Sequence, residues 1–388
     1  VAERRALGEF VTLQRGQSYK GDLVGLPGPY LLGLGTIERN GGFRADILRT
    51  YGGDSPNQIT LGPGDLYVSF KDVTHTADLL GAVARVPLWL QRARLTQDTI
   101  RLDVRGDLID RDFLYWSLRT PEYRSYCRTR GTGTTNLDLS RDDFLAFELR
   151  VPGRAQQRAI ADVLGALDDK IAANSKIAAT ADGLASAIVR TNLTERSASL
   201  SELALVTMGS SPPGESYNED GVGVPFFQGV RDFGLRFPAV RVWTSSPLRR
   251  AHAGDTLVSV RAPVGQVNVA RTELCIGRGL ASVRSRESRP WTLFHVLRSV
   301  PELWAPFEAE GTVFGSINAG QLASLPVPQV ASGRGAVVES ELAAIEQRLG
   351  AALAENLVLA ATRDALLPAL MSGALRVRDA ERIASDLT

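Results

Sequence analysis

The sequence predicts an α/β chain of the α+β kind, in which one mixed domain occurs twice and each copy is followed by a long helix. The two helices are expected to pair antiparallel as a coiled coil, giving a pseudo-twofold dumbbell. Three observations carry this. Short segments of the first 152 residues return in the same order after residue 193. Two stretches place apolar residues at alternating steps of three and four. The composition, 44% hydrophobic and 22% charged over 388 residues, suits two or three domains and excludes a collagen, a disordered chain or a disulfide scaffold. The expected division is a first domain at 1–152, a helix at 153–193, a second domain at 194–328, a helix at 329–377 and a tail at 378–388.

The repeat begins with Leu7–Gly16, echoed by Leu200–Gly209, each a short opening element that closes at glycine. Next, Gly64–Lys71 matches Gly254–Arg261, a turn followed by a strand that delivers a cation at its end. Gly131-Thr132 and Gly311-Thr312 then open polar, Gly-rich stretches that run on to Val151-Pro152 and Val327-Pro328.

After each Val-Pro the texture becomes helical. The first seam is Ile160, Leu164, Leu167, Ile171, Asn174, Ala178, Ala181, Ala185 and Ile188. The second is Leu342, Ile345, Leu349, Ala352, Asn356, Leu359, Arg363, Leu366 and Leu370, ending at Pro368 and Ser372-Gly373. Both seams are too narrow and too alanine-rich for either helix to stand alone, so each is expected to bury the other. Asn174 and Asn356 interrupt the seams near their middles, where a buried amide sets register. A helix of about 35 residues is roughly 50 Å long, against about 34 Å for one turn of duplex DNA.

Catalytic motifs are missing from the sequence. It contains no Gly-x-x-x-x-Gly-Lys-Ser/Thr phosphate loop and no Asn/Asp-Pro-Pro-aromatic segment of the amino-methyltransferase kind. His75, His252 and His295 are scattered and the two cysteines, Cys127 and Cys275, lie far apart, so no metal site is expected and a reducing, cytoplasmic setting is. No apolar run reaches the roughly 18 residues of a membrane helix. Asp168 and Lys170, two apart on a helix, do not face the same side.

At this level of detail the chain resembles the specificity subunits of type I restriction-modification systems. In the second domain, Gly209-Ser210-Ser211-Pro212-Pro213, Val224-Pro225-Phe226-Phe227, Ser259-Val260-Arg261-Ala262-Pro263-Val264-Gly265 and Ile276-Gly277-Arg278-Gly279-Leu280-Ala281 look like that family's target-recognition signatures. Val151-Pro152 with Gln156, Gln157 and Ile160, followed by Leu167-Asp168-Asp169-Lys170-Ile171, looks like its central conserved region. The second helix start departs from it, with Gln329-Val330-Ala331-Ser332-Gly333-Arg334-Gly335 after the Val-Pro. The resemblance implies a non-catalytic subunit whose two target-recognition domains each read half of a bipartite double-stranded DNA target. Its helices would act as spacer and docking surface for two methyltransferase subunits, joined by restriction subunits. S-adenosylmethionine, ATP and Mg are expected on those partners and none of them in this chain; no membrane is involved. The alternative is a non-catalytic DNA-binding scaffold of another defence complex that lacks its own methyltransferase.

Candidate DNA-binding residues follow from side-chain chemistry within that frame. Arg128, Arg130, Arg231 and Arg278 can fork onto phosphate or guanine, and Lys71 and Arg261 end equivalent strands. Thr132, Thr134, Thr135, Asn136, Gln228, Ser316 and Asn318 offer paired donors and acceptors to base edges. Helix-pairing residues are Leu164, Leu167, Ile171, Asn174, Ile188, Leu342, Ile345, Leu349, Asn356, Leu359 and Leu366. Charge is even: residues 1–150 hold twenty Lys/Arg and nineteen Asp/Glu, and residues 196–330 thirteen and eleven. Such domains must segregate charge onto one face, and the isolated chain is expected to bind DNA weakly and in a salt-sensitive way.

Overall fold

A computed structural model describes residues 3–74, 76–133, 136–308 and 315–385. Val11–Arg15 (β1), Leu66–Ser69 (β2), Val83–Arg85 (β3) and Thr99–Val104 (β4) form an antiparallel sheet in the order β1-β4-β2-β3. Every residue of β2 is buried, because both faces of this sheet are covered. Leu66 and Val68 point into a core shared with Phe113, Leu114 and Trp116 of the helix Arg111–Ser117, while Tyr67 packs among Leu32 and Leu95 of a small second sheet and Ile59 of the turn beside it. In that sheet Tyr30–Leu32 runs parallel to Ala93–Leu95.

The long helix Arg154–Asn192 (α1) follows. Its start is fastened by Gln157, which is buried: its Oε1 accepts from the Asp110 amide at 2.8 Å and its Nε2 donates to the Pro152 carbonyl at 2.8 Å. Asp110 in turn caps the helix Arg111–Ser117.

The second copy repeats the plan. Ala204–Met208 (β5), Thr256–Ser259 (β6), Val267–Val269 (β7) and Leu280–Ser285 (β8) are antiparallel in the order β5-β8-β6-β7. Val224–Phe227 runs parallel to Leu274–Ile276, as Tyr30–Leu32 does to its partner. Val258 faces a core with Phe294 and Leu297 of the helix Pro290–Ser299, and Leu257 faces Phe227 and Ile276. The second long helix, Gly335–Ser372 (α2), starts differently in sequence yet makes a similar fastening. Glu339 accepts from the Trp291 and Thr292 amides at 3.2 and 2.8 Å, at the first turn of the helix Pro290–Ser299.

The chain forms two compact units that cut across the boundaries expected from sequence: Val1–Ala172 with Leu357–Thr388, and Ala173–Asn356. Each contains half of α1 and half of α2. In the first, Ile160, Leu164 and Leu167 share a core with Leu359, Leu366 and Leu370. In the second, Ala185 and Val189 share one with Val338 and Leu342, while Asn174 meets Glu355, so within this unit the two helices run antiparallel.

Three sequence expectations are corrected. Of the two expected stops, Ser372-Gly373 ends α2 and Pro368 does not; the proline is on the exposed side beside exposed Asp364, whose carbonyl loses its helical donor where water reaches it, while Leu366, Leu367 and Leu370 hold the turn in the core. The expected tail is mostly helix, Val377–Ser385 (α3), with Ala380 and Ala384 buried in the first unit. The second helix begins at Gly335 rather than 329, because Pro326–Val330 pairs with Leu193–Ser199 as a strand.

Candidate nucleic-acid interface

The cation at the end of the second strand lies beside a cleft in each unit. In the second unit the cleft is lined by Gln228, Ser259, Arg261, Ala262, Arg278 and Gly279. Gln228, Arg261 and Arg278, separated by up to 50 positions in sequence, thus come together, and all three are exposed. The turn is built on glycine: a Cβ on Gly279 would stand 2.3 Å from the Gln228 carbonyl oxygen, which accepts from the Gly279 amide at 3.1 Å. Ser316 is exposed and bridges to Arg261 through the backbone. Among the described residues no carboxylate pairs with Arg261 or Arg278. Arg231 is exposed on the neighbouring turn Val230–Asp232, outside the cleft lining.

In the first unit the cleft around Lys71 is lined by Arg15, Gln97, Asp98, Asp138, Ser140 and Arg141. Lys71 Nζ pairs with Asp98 at 3.2 Å. Arg15 Nε donates to the Gln97 carbonyl at 3.0 Å, and Arg141 to the Leu13 carbonyl at 3.0 Å. Next to Lys71, Asp72 anchors the following loop. Burial acts to raise its carboxyl, but hydrogen bonds from Thr74 and from the Leu79 and Leu80 amides outweigh that and hold it below the usual carboxylate range.

The other expected contacts in this unit lie apart from the cleft or are engaged. Arg128 donates to Asn40 Oδ1 at 2.6 Å, and Arg130 pairs with Asp143 at 2.7 Å while stacking on Tyr126. Thr132 is held by reciprocal backbone bonds with Asp138, and Asn136 is exposed. Thr134, Thr135, His75, Gly311 and Thr312 lie outside the described residues. In the second unit, Asn318 caps the helix Ala319–Ala323, its Oδ1 accepting from the Gln321 amide at 3.0 Å, so that acceptor faces the backbone rather than a base. Arg15 and Arg141 were not singled out from sequence. The signal was available for Arg15, which directly precedes the glycine that closes the repeated segment.

Along the helices, Leu164, Leu167, Asn174, Leu342, Leu349, Leu359 and Leu366 are buried, and Ile171, Ile188, Ile345 and Asn356 half-buried. Val189 takes the buried place beside Ile188, and Glu346 the one beside Ile345. Glu346 is fully buried because Arg236 Nε reaches it at 2.6 Å and His295 Nε2 at 2.8 Å. The other arm of Arg236 holds Asp182 of α1 at 2.7 Å, and Arg298 grips the same carboxylate at 2.7 Å. In the first unit Asp168 of α1 is held by Arg363 of α2 and, at 3.3 Å, by Arg119. These charges fasten paired helices to the domain core within each unit. The Asp168-x-Lys170 pattern therefore contributes a structural carboxylate.

No protein-family model matches the chain. A putative type I restriction enzyme MjaX specificity subunit of Methanocaldococcus jannaschii is 34% identical over 176 residues, 45% of this chain and 41% of that protein, so the match spans about four tenths of the relative's length. The crystal structure of the type I restriction-modification S subunit from M. genitalium superposes with a TM-score of 0.60 at 14% identity, covering 96% of each chain. The HsdS subunit from Thermoanaerobacter tengcongensis aligns over 96% of this chain and 97% of its own at 24% identity, with a TM-score of 0.37. In sequence over part of its length, and in its mixed helix-and-sheet fold over nearly all of it, the chain is thus similar to specificity subunits of type I restriction-modification systems, the family its target-recognition signatures resemble.

Proposed function

We propose that this chain is the DNA-specificity subunit of a type I restriction-modification complex. Each unit presents one reading head, so the bipartite target is read as two half-sites. The antiparallel pair formed by α1 and α2 sets the gap between them and docks two methyltransferase subunits, with restriction subunits joining the assembly. The chain chooses the site and performs no chemistry. S-adenosylmethionine, ATP and Mg belong to the partners.

One observation supports this reading above the others: the same head is built twice, and each copy carries a cation of the same repeat position, Lys71 or Arg261, beside an exposed cleft. A duplicated head on paired helices suits a target made of two separated halves, since a rigid spacer converts two weak contacts into one longer recognition event. Because neither half of the sequence is strongly basic, partner subunits contribute much of the backbone grip and the chain alone binds DNA weakly.

Single-molecule mapping of methylated bases in a strain with and without the gene tests this. The expected result is loss, with the gene, of one modified motif made of two short half-sites around a fixed gap. An unchanged methylation map together with failure to co-purify any methyltransferase would instead favour a scaffold of another defence complex.

A further inference from the structure

The two clefts are built at equivalent positions and are chemically unlike. Equivalence follows from the backbone. Gly16 donates to the Thr99 carbonyl as Gly209 does to that of Leu280, at 3.0 and 2.9 Å. Thr96 donates to Leu32 as Gly277 does to Phe227, at 3.0 and 2.8 Å, and Leu139 to Phe70 as Ile317 does to Val260, at 2.9 and 3.0 Å. Lys71 is bridged to Asp138 as Arg261 is to Ser316.

In this register Asp98 corresponds to Gly279, Asp138 to Ser316 and Gln97 to Arg278. Both carboxylates of the first cleft are therefore missing from the second, its strand-end cation is kept, and another is added. The Asp98 position cannot carry an acid in the second unit, since any side chain on Gly279 would strike the Gln228 carbonyl. Arg15 and Arg141, which have no cationic counterpart in the second cleft because Met208 and Ala319 occupy their places, are each tied to a backbone carbonyl. Lys71 faces a carboxylate; Arg261 and Arg278 are exposed, with no carboxylate partner among the described residues.

We propose that the cleft formed by Gln228, Arg261, Arg278 and Gly279 is a phosphodiester-binding site, and that the equivalent cleft of the first unit is closed to phosphate by Asp98 and Asp138. The inference rests on the DNA-reading role proposed above and divides it unequally between the heads. Two guanidinium groups with no carboxylate partner among the described residues offer donors matched to phosphate oxygens, and Gly279 lets the anion approach the backbone. In the first cleft Arg15 and Arg141 keep their charge, but an incoming phosphate meets two carboxylates at close range that have no counterpart in the second, and one of them already pairs with Lys71.

The test uses the full chain with two probes, a duplex oligonucleotide and heparin, a polyanion without bases, each titrated at several salt concentrations. R261Q/R278Q is expected to weaken binding to both probes by about tenfold near 0.1 M salt and to lower the salt slope for duplex by about two. S316D, which places an acid beside Arg261 at an exposed position, is expected to weaken both in the same direction. K71Q is expected to change little, and D98N, which frees Lys71, to strengthen both. The proposal is overturned if K71Q costs as much as R261Q/R278Q, or if R261Q/R278Q and S316D both bind heparin like the unaltered chain. Binding to heparin through this cleft without any binding to duplex would leave the anion site standing and remove the DNA-reading role.

Discussion

Arg236 and Glu346 form an ion pair in which neither side chain has any exposed surface, with Nε and Oε2 2.6 Å apart. Arg236 also lies over the Phe294 ring, 4.4 Å from its centroid. Removing the arginine leaves a buried carboxylate with only the His295 imidazole beside it, which costs about 3–5 kcal/mol. R236M is therefore expected to lower the unfolding free energy of the second unit by that amount in urea titrations. The double variant R236M/E346Q, which removes both charges and keeps an acceptor for His295 Nε2, should recover most of the loss. A double variant as unstable as the single one would show that the charges add stability rather than merely tolerate each other.

His295 is buried against the same carboxylate. Glu346 can only accept, so the imidazole donates from Nε2. Burial pushes the His295 pKa below its usual 6.5, and the nearby Arg236 pushes the same way, although the Glu346 bond opposes both. The unfolded chain then binds the proton more readily than the folded one, so stability is lost as pH falls from the unfolded value near 6.5 toward the depressed folded value. Thermal midpoints measured between pH 7.5 and 5.5 should fall more steeply for the unaltered chain than for H295Q. Equal slopes would mean that His295 does not contribute to the acid sensitivity.

Asn174 donates to Glu355 at 2.7 Å across the helix pair, and Asn356 to Ser175 at 3.0 Å. Glu355 is half-exposed and can turn to water, whereas a leucine at 174 would add apolar seam. N174L is expected to raise stability by about 1 kcal/mol, and N174L/N356L to loosen register. Cysteine cross-linking across the pair reads the register. An unchanged cross-link pattern in the double variant would deny the amides that role.

At Gly209 a Cβ would stand 2.1 Å from the Gly277 carbonyl oxygen, and at Gly16 the same distance from that of Thr96. Backbone cannot yield as a flexible side chain does, so G209A should destabilise the second unit by about 3 kcal/mol. A calorimetric midpoint within a degree of the unaltered chain would contradict this close approach.

A heptad inserted at matching heights in both helices, near residues 160–185 and 345–370, lengthens the pair by roughly 10 Å without moving its seam. The gap in the methylated motif should widen by about three base pairs. If the motif kept its gap, the helices would not be the ruler.

Much of the fold was legible because the chain states it twice. Gly64–Lys71 and Gly254–Arg261 both became the central strand of an antiparallel sheet, and both long helices announced themselves by step and by alanine. What stayed hidden depends on partners far away in sequence. Ile345 fits the apolar rhythm better than Glu346, yet Arg236 and His295 draw the acid inward and leave the isoleucine half-exposed. Likewise the contrast between Lys71 and Arg261 is invisible until Asp98 is seen beside one and Gly279 beside the other.

The first unit takes Leu359, Leu366, Leu370, Ala380 and Ala384 into the same core as Leu7 and Phe10. A ribosome makes those partners about 350 residues apart. Domains ordinarily close as they emerge, but this one must wait, half-built and with an apolar stripe of α1 uncovered, until residues 359–384 have been made. Truncation or premature termination anywhere in the second half therefore harms the first half most, and a chaperone that shelters the early segment would be expected to govern yield.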